Sequence, residues 1–158
     1  MKKLIVYGTK SGTTENCAMK IKANMVLQDV EILNLKGSRK IDLSNYDTII
    51  IGTPIYMGRI NGKVNSFLLK NHDILMQKDI HFFVCGLAHG AEGVELFRKE
   101  IAEDLFAHAS QVRQLGSEVH PERLNPLYRM IIKKIIEAQK PEIGLLETEI
   151  DEFAKEIR

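Results

Sequence analysis

The chain has 158 residues, 44% of them hydrophobic and 27% charged, with a formal net charge of +1. That length suits one domain spanning 1–158, and the near-balanced charge leaves no global field that would draw in nucleic acid as a partner. The apolar stretch near the N-terminus is far too short for a signal peptide or a membrane span, so a cytoplasmic protein is expected, and Cys17 and Cys85, without a CxxC, read as buried small hydrophobes rather than a disulfide.

Residues 4–6 (Leu-Ile-Val) form a short strand-like run ending at Tyr7-Gly8, followed by a polar loop from Thr9 to Thr14. Beyond it Cys17, Ala18, Ile21 and Met25 recur at helical spacing, so an amphipathic helix begins at Thr13 or Thr14. Residues 30–35 alternate in part as a second strand, and 48–51 (Thr-Ile-Ile-Ile) is a continuous apolar run of the kind buried on both faces of a parallel sheet. A helix around Val64, Phe67 and Leu68 comes next, then a buried strand over 80–85 closed by Gly86. Val94, Phe97, Ile101 and Leu105 mark one face of a further helix, 109–115 a fifth strand, and Leu146, Ile150, Phe153 and Ile157 a terminal helix over 145–157.

Five strands alternating with helices predict an α/β fold, a doubly wound parallel sheet of order 2-1-3-4-5 with helices on both faces. Ligands of such sheets bind outside the carboxyl ends of the strands, where the strand order reverses, here between the first and third strands. The loops after Tyr7, Ile51 and Cys85 should therefore form the site.

The first of these loops, Thr9-Lys10-Ser11-Gly12-Thr13-Thr14, gathers hydroxyls and backbone N–H groups at a helix N-terminus, where the helix dipole also favours an anion. Gly12 lets the backbone approach a phosphate group closely, whereas Glu15 is discordant and should point away. The same hydroxyls could merely cap the helix, but the position after the first strand favours phosphate. Neither GxxxxGK[ST] nor GxGxxG occurs, so ATP hydrolysis and Rossmann-type dinucleotide binding lose support.

The loop matches T-x-[ST]-G-[TN]-T and so resembles the phosphate loop of the flavodoxin family. Gly52-Thr53-Pro54-Ile55-Tyr56-Met57-Gly58 and Gly86-Leu87-Ala88-His89-Gly90 resemble that family's two flavin-ring loops. The resemblance spans nearly the whole chain and implies FMN, held non-covalently and used to move electrons. Thr9, Lys10, Ser11, Gly12, Thr13 and Thr14 would hold its phosphate; Pro54, Ile55, Tyr56, Met57, Gly58, Gly86, Leu87, Ala88, His89 and Gly90 would surround the ring.

The C-terminal third resembles the menaquinone-dependent protoporphyrinogen oxidase group, in an insert over about 117–140 with a proline turn, Tyr128-Arg129 and the run from Met130 to Ile136. That narrower resemblance implies an oxidoreductase of heme biosynthesis with a quinone-linked acceptor. A pure electron carrier recognised by a redox partner protein, and a flavin-free binding or regulatory module, are the competing expectations.

Tyr56 is the candidate to stack on the ring, or else a rim residue packing on the second helix. The Met57–Gly58 peptide, by resemblance, can turn its carbonyl toward the flavin, and a cation at Arg59 would favour reduced, anionic flavin. His89 could donate to the flavin or lie exposed on its loop, and His72, His81, His108 and His120 share no ligand spacing, so no metal site is expected. From 121 to 140, Arg123, Arg129, Lys133, Lys134 and Lys140 stand against Glu122 and Glu137 and interleave with apolar residues. Either that segment contacts an anionic membrane surface, peripherally at the inner membrane face, or a redox partner, or Leu127, Ile131 and Ile135 pack against the sheet while Lys133 and Lys134 are solvated.

Overall fold

The computed structural model describes residues 1–37 and 40–158. In chain order the elements are β1 (Lys2–Tyr7), α1 (Thr13–Asn24), β2 (Asp29–Asn34), β3 (Thr48–Tyr56), β4 (Arg59–Ile60), α2 (Gly62–Leu75) and β5 (Asp79–Cys85), then α3 (Gly90–Arg98), α4 (Glu103–His108), β6 (Gln111–Gln114), β7 (Gly116–Ser117), α5 (Pro126–Gln139), β8 (Gly144–Leu145) and α6 (Glu147–Glu156). The long strands form a parallel sheet of order β2-β1-β3-β5-β6, which is the expected 2-1-3-4-5 arrangement. The short β4 folds back antiparallel on β3, and β7 pairs with β8 in a small separate ribbon.

The pleat sends neighbouring side chains of each central strand to opposite faces, and both faces are covered. Leu4, Val6, Ile49, Ile51, Phe82 and Val84 point to one layer, where they meet Val64, Phe67 and Leu68 of α2 and Phe97 of α3. Ile5, Ile50 and Phe83 point to the other, against Cys17, Ala18 and Ile21 of α1 and Ile150 and Phe153 of α6. This two-sided burial is why the strands read as unbroken apolar runs. Among the described residues no helix is long and apolar enough to cross a membrane.

Two boundaries differ from expectation. The helix expected to carry Val94, Phe97, Ile101 and Leu105 on one face is two helices: α3 stops at Arg98, Ala102 is extended, and α4 restarts at Glu103. Phe97, Ile101 and Leu105 nevertheless join the same core layer. Apolar spacing reports a shared buried face, not an unbroken ladder of backbone hydrogen bonds. The third strand also runs past Ile51 to Tyr56, so Pro54, Ile55 and Tyr56 belong to strand rather than loop. It is held in that extension by β5 on one side, up to Pro54 opposite Cys85, and by β4, with Tyr56 opposite Arg59.

Candidate functional site

The loop between β1 and α1 is shaped by its own hydroxyls. Gly12 N–H donates to Thr9 Oγ1 at 2.9 Å, and Gly12, at φ 99°, serves as the N-cap of α1 without a side-chain capping bond. The hydroxyls are therefore not spent on capping, and the first-turn N–H groups, which have no intrahelical partners, face the loop mouth. Thr13 Oγ1 donates to the backbone carbonyl of Glu118 at 3.2 Å, and Ser11 Oγ meets Tyr56 Oη at 2.9 Å. Thr14 is fully buried, yet its Oγ1 has no hydrogen-bond partner among the described residues. Glu15 turns toward the phenol of Tyr7, whose pKa is pushed up to about 12 by burial first and by this carboxylate second.

The second loop is the tip of the β3–β4 hairpin. Met57 and Gly58 both have positive φ, 51° and 76°, the pattern of a two-residue type I′ turn whose twist matches the flanking strands. Asn61 N–H donates to Thr53 Oγ1 at 3.1 Å and ties the returning chain to β3. The third loop, after β5, is fixed from beneath by Gln114, which is almost fully buried. Its Nε2 donates to Gly86 O at 2.8 Å while its Oε1 accepts from Gly116 N–H at 3.1 Å. Gly93 lets α3 start close under this loop, for a Cβ there would stand 2.6 Å from Ala88 O.

These loops enclose a cavity of about 260 Å³. Ser11 and Thr13 line it from the first loop, Pro54, Ile55, Tyr56, Met57 and Gly58 from the hairpin, and Gly86, Leu87 and Ala88 from the third loop. Thr9, Lys10, Gly12 and Thr14 belong to the first loop but do not line the cavity; nor do His89 and Gly90. His89 is the N-cap of α3, and its Nε2 is buried without a hydrogen-bond partner among the described residues. Cys17 and Cys85 are free, buried and in contact, Sγ to Sγ 3.4 Å, with Cys85 at the cavity floor.

The far wall comes from the insert, which sequence reasoning did not place at the site. Glu118, His120, Leu124, Ile132, Ile135 and Gln139 line it. Of the three residues expected to pack, Ile135 reaches the wall, Ile131 is half-buried away from it, and Leu127 is 62% exposed; the buried position belongs to Ile132. Tyr128, one turn before Ile132, lies beneath Lys10, whose Nζ sits 3.5 Å from its ring centroid. The histidine facing the cavity is thus His120 rather than His89. It contacts Glu118 at 3.1 Å and Glu122 at 3.5 Å. Burial works to raise the Glu118 pKa, but hydrogen bonds from His120 and Asn16 outweigh it and hold the carboxyl below its ordinary value.

Arg59 does not supply the expected cation beside the cavity. Its side chain is 81% exposed, pairs with Glu100 at 3.3 Å and is absent from the lining. Glu100 also accepts from Ile60 N–H, which holds the carboxylate on the outer side of the hairpin.

Among curated proteins none matches the chain. Among solved structures it is similar to oxidised flavodoxin 1 from Bacillus cereus, at 15% identity and TM-score 0.57 over 100% of both chains. Flavodoxin 2 from Bacillus cereus is 24% identical with TM-score 0.56, over 89% of this chain and 99% of that one. A flavodoxin from Fusobacterium nucleatum, bound to flavin mononucleotide, is 14% identical with TM-score 0.55, over 99% of this chain and 97% of that one. These likenesses carry the fold. The sequence itself matches the flavodoxin domain over residues 4–142, from the first strand through the insert, and the chain therefore belongs to the flavodoxin domain family.

Proposed function

We propose that the protein binds FMN at this site and uses it as an oxidoreductase. The observation that carries this is Thr14 Oγ1, fully buried and unpartnered on the first turn of a helix whose N-cap is a left-handed glycine. A buried hydroxyl left unpaired costs about 1–3 kcal/mol, and a phosphate at that N-terminus would satisfy it together with the first-turn N–H groups. The residues present fit the group: hydroxyls at the loop, an adjoining cavity with apolar walls at Ile55, Leu87, Leu124 and Ile132, and Tyr56 between loop and hairpin.

When bound, FMN supplies the redox chemistry. Ser11 and Thr14 through their hydroxyls and Thr13 through its N–H would hold the phosphate, and Tyr56 and Leu87 would flank the ring. The apolar side chains of the insert wall, Leu124, Ile132 and Ile135, would exclude water from it. Gly58, where a Cβ would have no atom within 4 Å, leaves the Met57–Gly58 peptide free to reorient its carbonyl. His120 Nε2, against Glu118, is placed to hold a proton at the cavity edge.

The narrower proposal is a protoporphyrinogen oxidase-like activity in heme biosynthesis, passing electrons to a quinone chain or a redox partner protein. It would act in the cytoplasm with a peripheral contact at the inner membrane face. Its support is the insert: Leu124, Ile132 and Ile135 offer an apolar wall against which the hydrocarbon face of a tetrapyrrole could lie. Leu127 and Met130, 62% and 51% exposed, lie on α5 with Lys133 and Lys134, residues suited to an anionic surface. The test is reconstitution with FMN, desalting and an absorbance spectrum, then anaerobic turnover of protoporphyrinogen with a menaquinone analogue. No retained flavin overturns the whole proposal. Retained flavin without turnover leaves an electron carrier.

A further inference from the structure

Arg123 lies 112 residues from Ser11 in the chain, yet its Nη1 donates to the Ser11 backbone carbonyl at 2.9 Å. Its guanidinium sits directly over Gly12, where a Cβ would stand 2.5 Å from Nη1. Glycine at this position thus serves two ends, a left-handed φ and room for a cation from the insert. Among the described residues Arg123 has no ion-pair partner; the carboxylates of Glu118 and Glu122 contact His120 instead. A guanidinium has five donors in a planar fork, and one bond to Ser11 O leaves the others for an acceptor at the loop mouth. Lys10, stacked on Tyr128, adds a second positive charge where the same two segments meet.

Several side-chain contacts tie the insert to this loop. Besides Arg123 and Lys10, the Glu118 carbonyl accepts from Thr13 Oγ1 and its carboxylate from Asn16 Nδ2 at 2.8 Å. The residue after Arg123 is Leu124, which begins the apolar cavity wall continued by Ile132 and Ile135. The cation at the phosphate end and the wall at the ring end are therefore one segment.

We infer that Arg123 is a phosphate ligand supplied by the insert, so that a phosphate monoester at the β1–α1 loop fastens the insert in place as the wall of the ring cavity. The inference rests on the FMN reading and deepens it. The chain would discriminate FMN from riboflavin by a charge-assisted contact from a distant segment, in addition to the N–H groups and hydroxyls of the loop. Arg123 would couple phosphate recognition to shielding of the ring.

The experiment is fluorescence-quenching titration of FMN and of riboflavin into the apoprotein, for wild type, Arg123→Gln, Arg123→Lys and Arg129→Gln. Loss of one charge-assisted contact predicts that Arg123→Gln weakens FMN roughly 10- to 100-fold and leaves riboflavin within about twofold, with Arg123→Lys between. Arg129 is the control. It donates to the carbonyls of Pro121 at 2.9 Å and Leu124 at 3.2 Å, so it shapes the insert without facing the loop. Its loss should weaken the two flavins equally. Should Arg123→Gln fold poorly, hydrogen exchange of wild-type residues 121–139 with and without inorganic phosphate replaces it, and slowed exchange with phosphate is the expected result. An equal loss for both flavins in Arg123→Gln, no loss, or an insert indifferent to phosphate overturns the inference while the FMN reading stands. Wild-type protein that binds neither flavin overturns both.

Discussion

Replacing Thr14 by valine should move stability and cofactor affinity in opposite directions. The side chain is fully buried, and its Oγ1 has no partner among the described residues. Valine keeps the shape and exchanges the hydroxyl for a methyl, and the two residues have similar helix propensity, so neither packing nor backbone preference should dominate. Removing an unsatisfied buried hydroxyl should stabilise the apoprotein by about 1–2 kcal/mol. Removing a donor to a phosphate oxygen should cost about 1.5–3 kcal/mol of binding, or roughly 10- to 150-fold in Kd. Urea unfolding of the apoprotein and FMN titration by fluorescence quenching read the two terms separately. Riboflavin serves as the internal control and should be unaffected. A variant less stable than wild type that binds FMN equally well would refute the reasoning, since the hydroxyl would then be serving the helix alone.

Gly58→Ala should cost only about 1 kcal/mol in urea unfolding, because φ is 76° but no atom lies within 4 Å of the added Cβ. Gly52→Ala should cost more than about 3 kcal/mol, since its Cβ would fall 2.0 Å from the Phe83 ring, which is fully buried and packs edge-on to Phe153; near-equal costs would show that the strand can shift to make room. The Cys17 thiol is pushed strongly upward by its contact with Cys85 and by burial, so a disulfide-exchange reagent at neutral pH should not label Cys17 until the protein is unfolded. Rapid native labelling of Cys17 would contradict this. The His72 pKa is raised by its bond to Asp104 at 2.9 Å and then by Asp73, so the folded state favours the imidazolium. Its stabilising contribution is complete below the ordinary value near 6.5 and fades as pH climbs through the raised folded value. An NMR titration should show His72 falling in Asp104→Asn, and an unchanged midpoint would dismiss the pair.

The parallel sheet was legible because its central strands are buried on both faces, which forces runs such as Ile49-Ile50-Ile51 that few other structures require. The loop at Gly12 was legible because hydroxyls cluster where topology puts ligands. The break between α3 and α4 left no such mark. Residues 99–102 are Lys-Glu-Ile-Ala, with neither glycine nor proline, and the apolar spacing continues across the bend because both helices press on one core layer. In α5 the difficulty is the reverse. Leu127, Ile131, Ile135, Ile132 and Ile136 share one half of the helix and Arg129, Lys133, Lys134 and Glu137 the other, but that apolar half is wider than the contact it makes, and only tertiary contact selects Ile132 and Ile135 within it.

Charge was misread for a related reason. Arg59 adjoins the hairpin tip in sequence, so proximity along the chain suggested a cation at the ring. A charge acts through its partners, however, and Glu100, 41 positions later, neutralises Arg59 on the exposed side of the hairpin. Arg123 stands far from every loop in sequence, inside a segment whose basic residues suggested a surface role. Its neighbouring carboxylates contact His120, and its guanidinium bonds the Ser11 carbonyl and lies over Gly12. Local composition located the basic residues of this chain, but pairing decides which of them can act on an anion. That is why the Arg123→Gln and Arg129→Gln comparison separates a charge that binds from a charge that only holds the insert in shape.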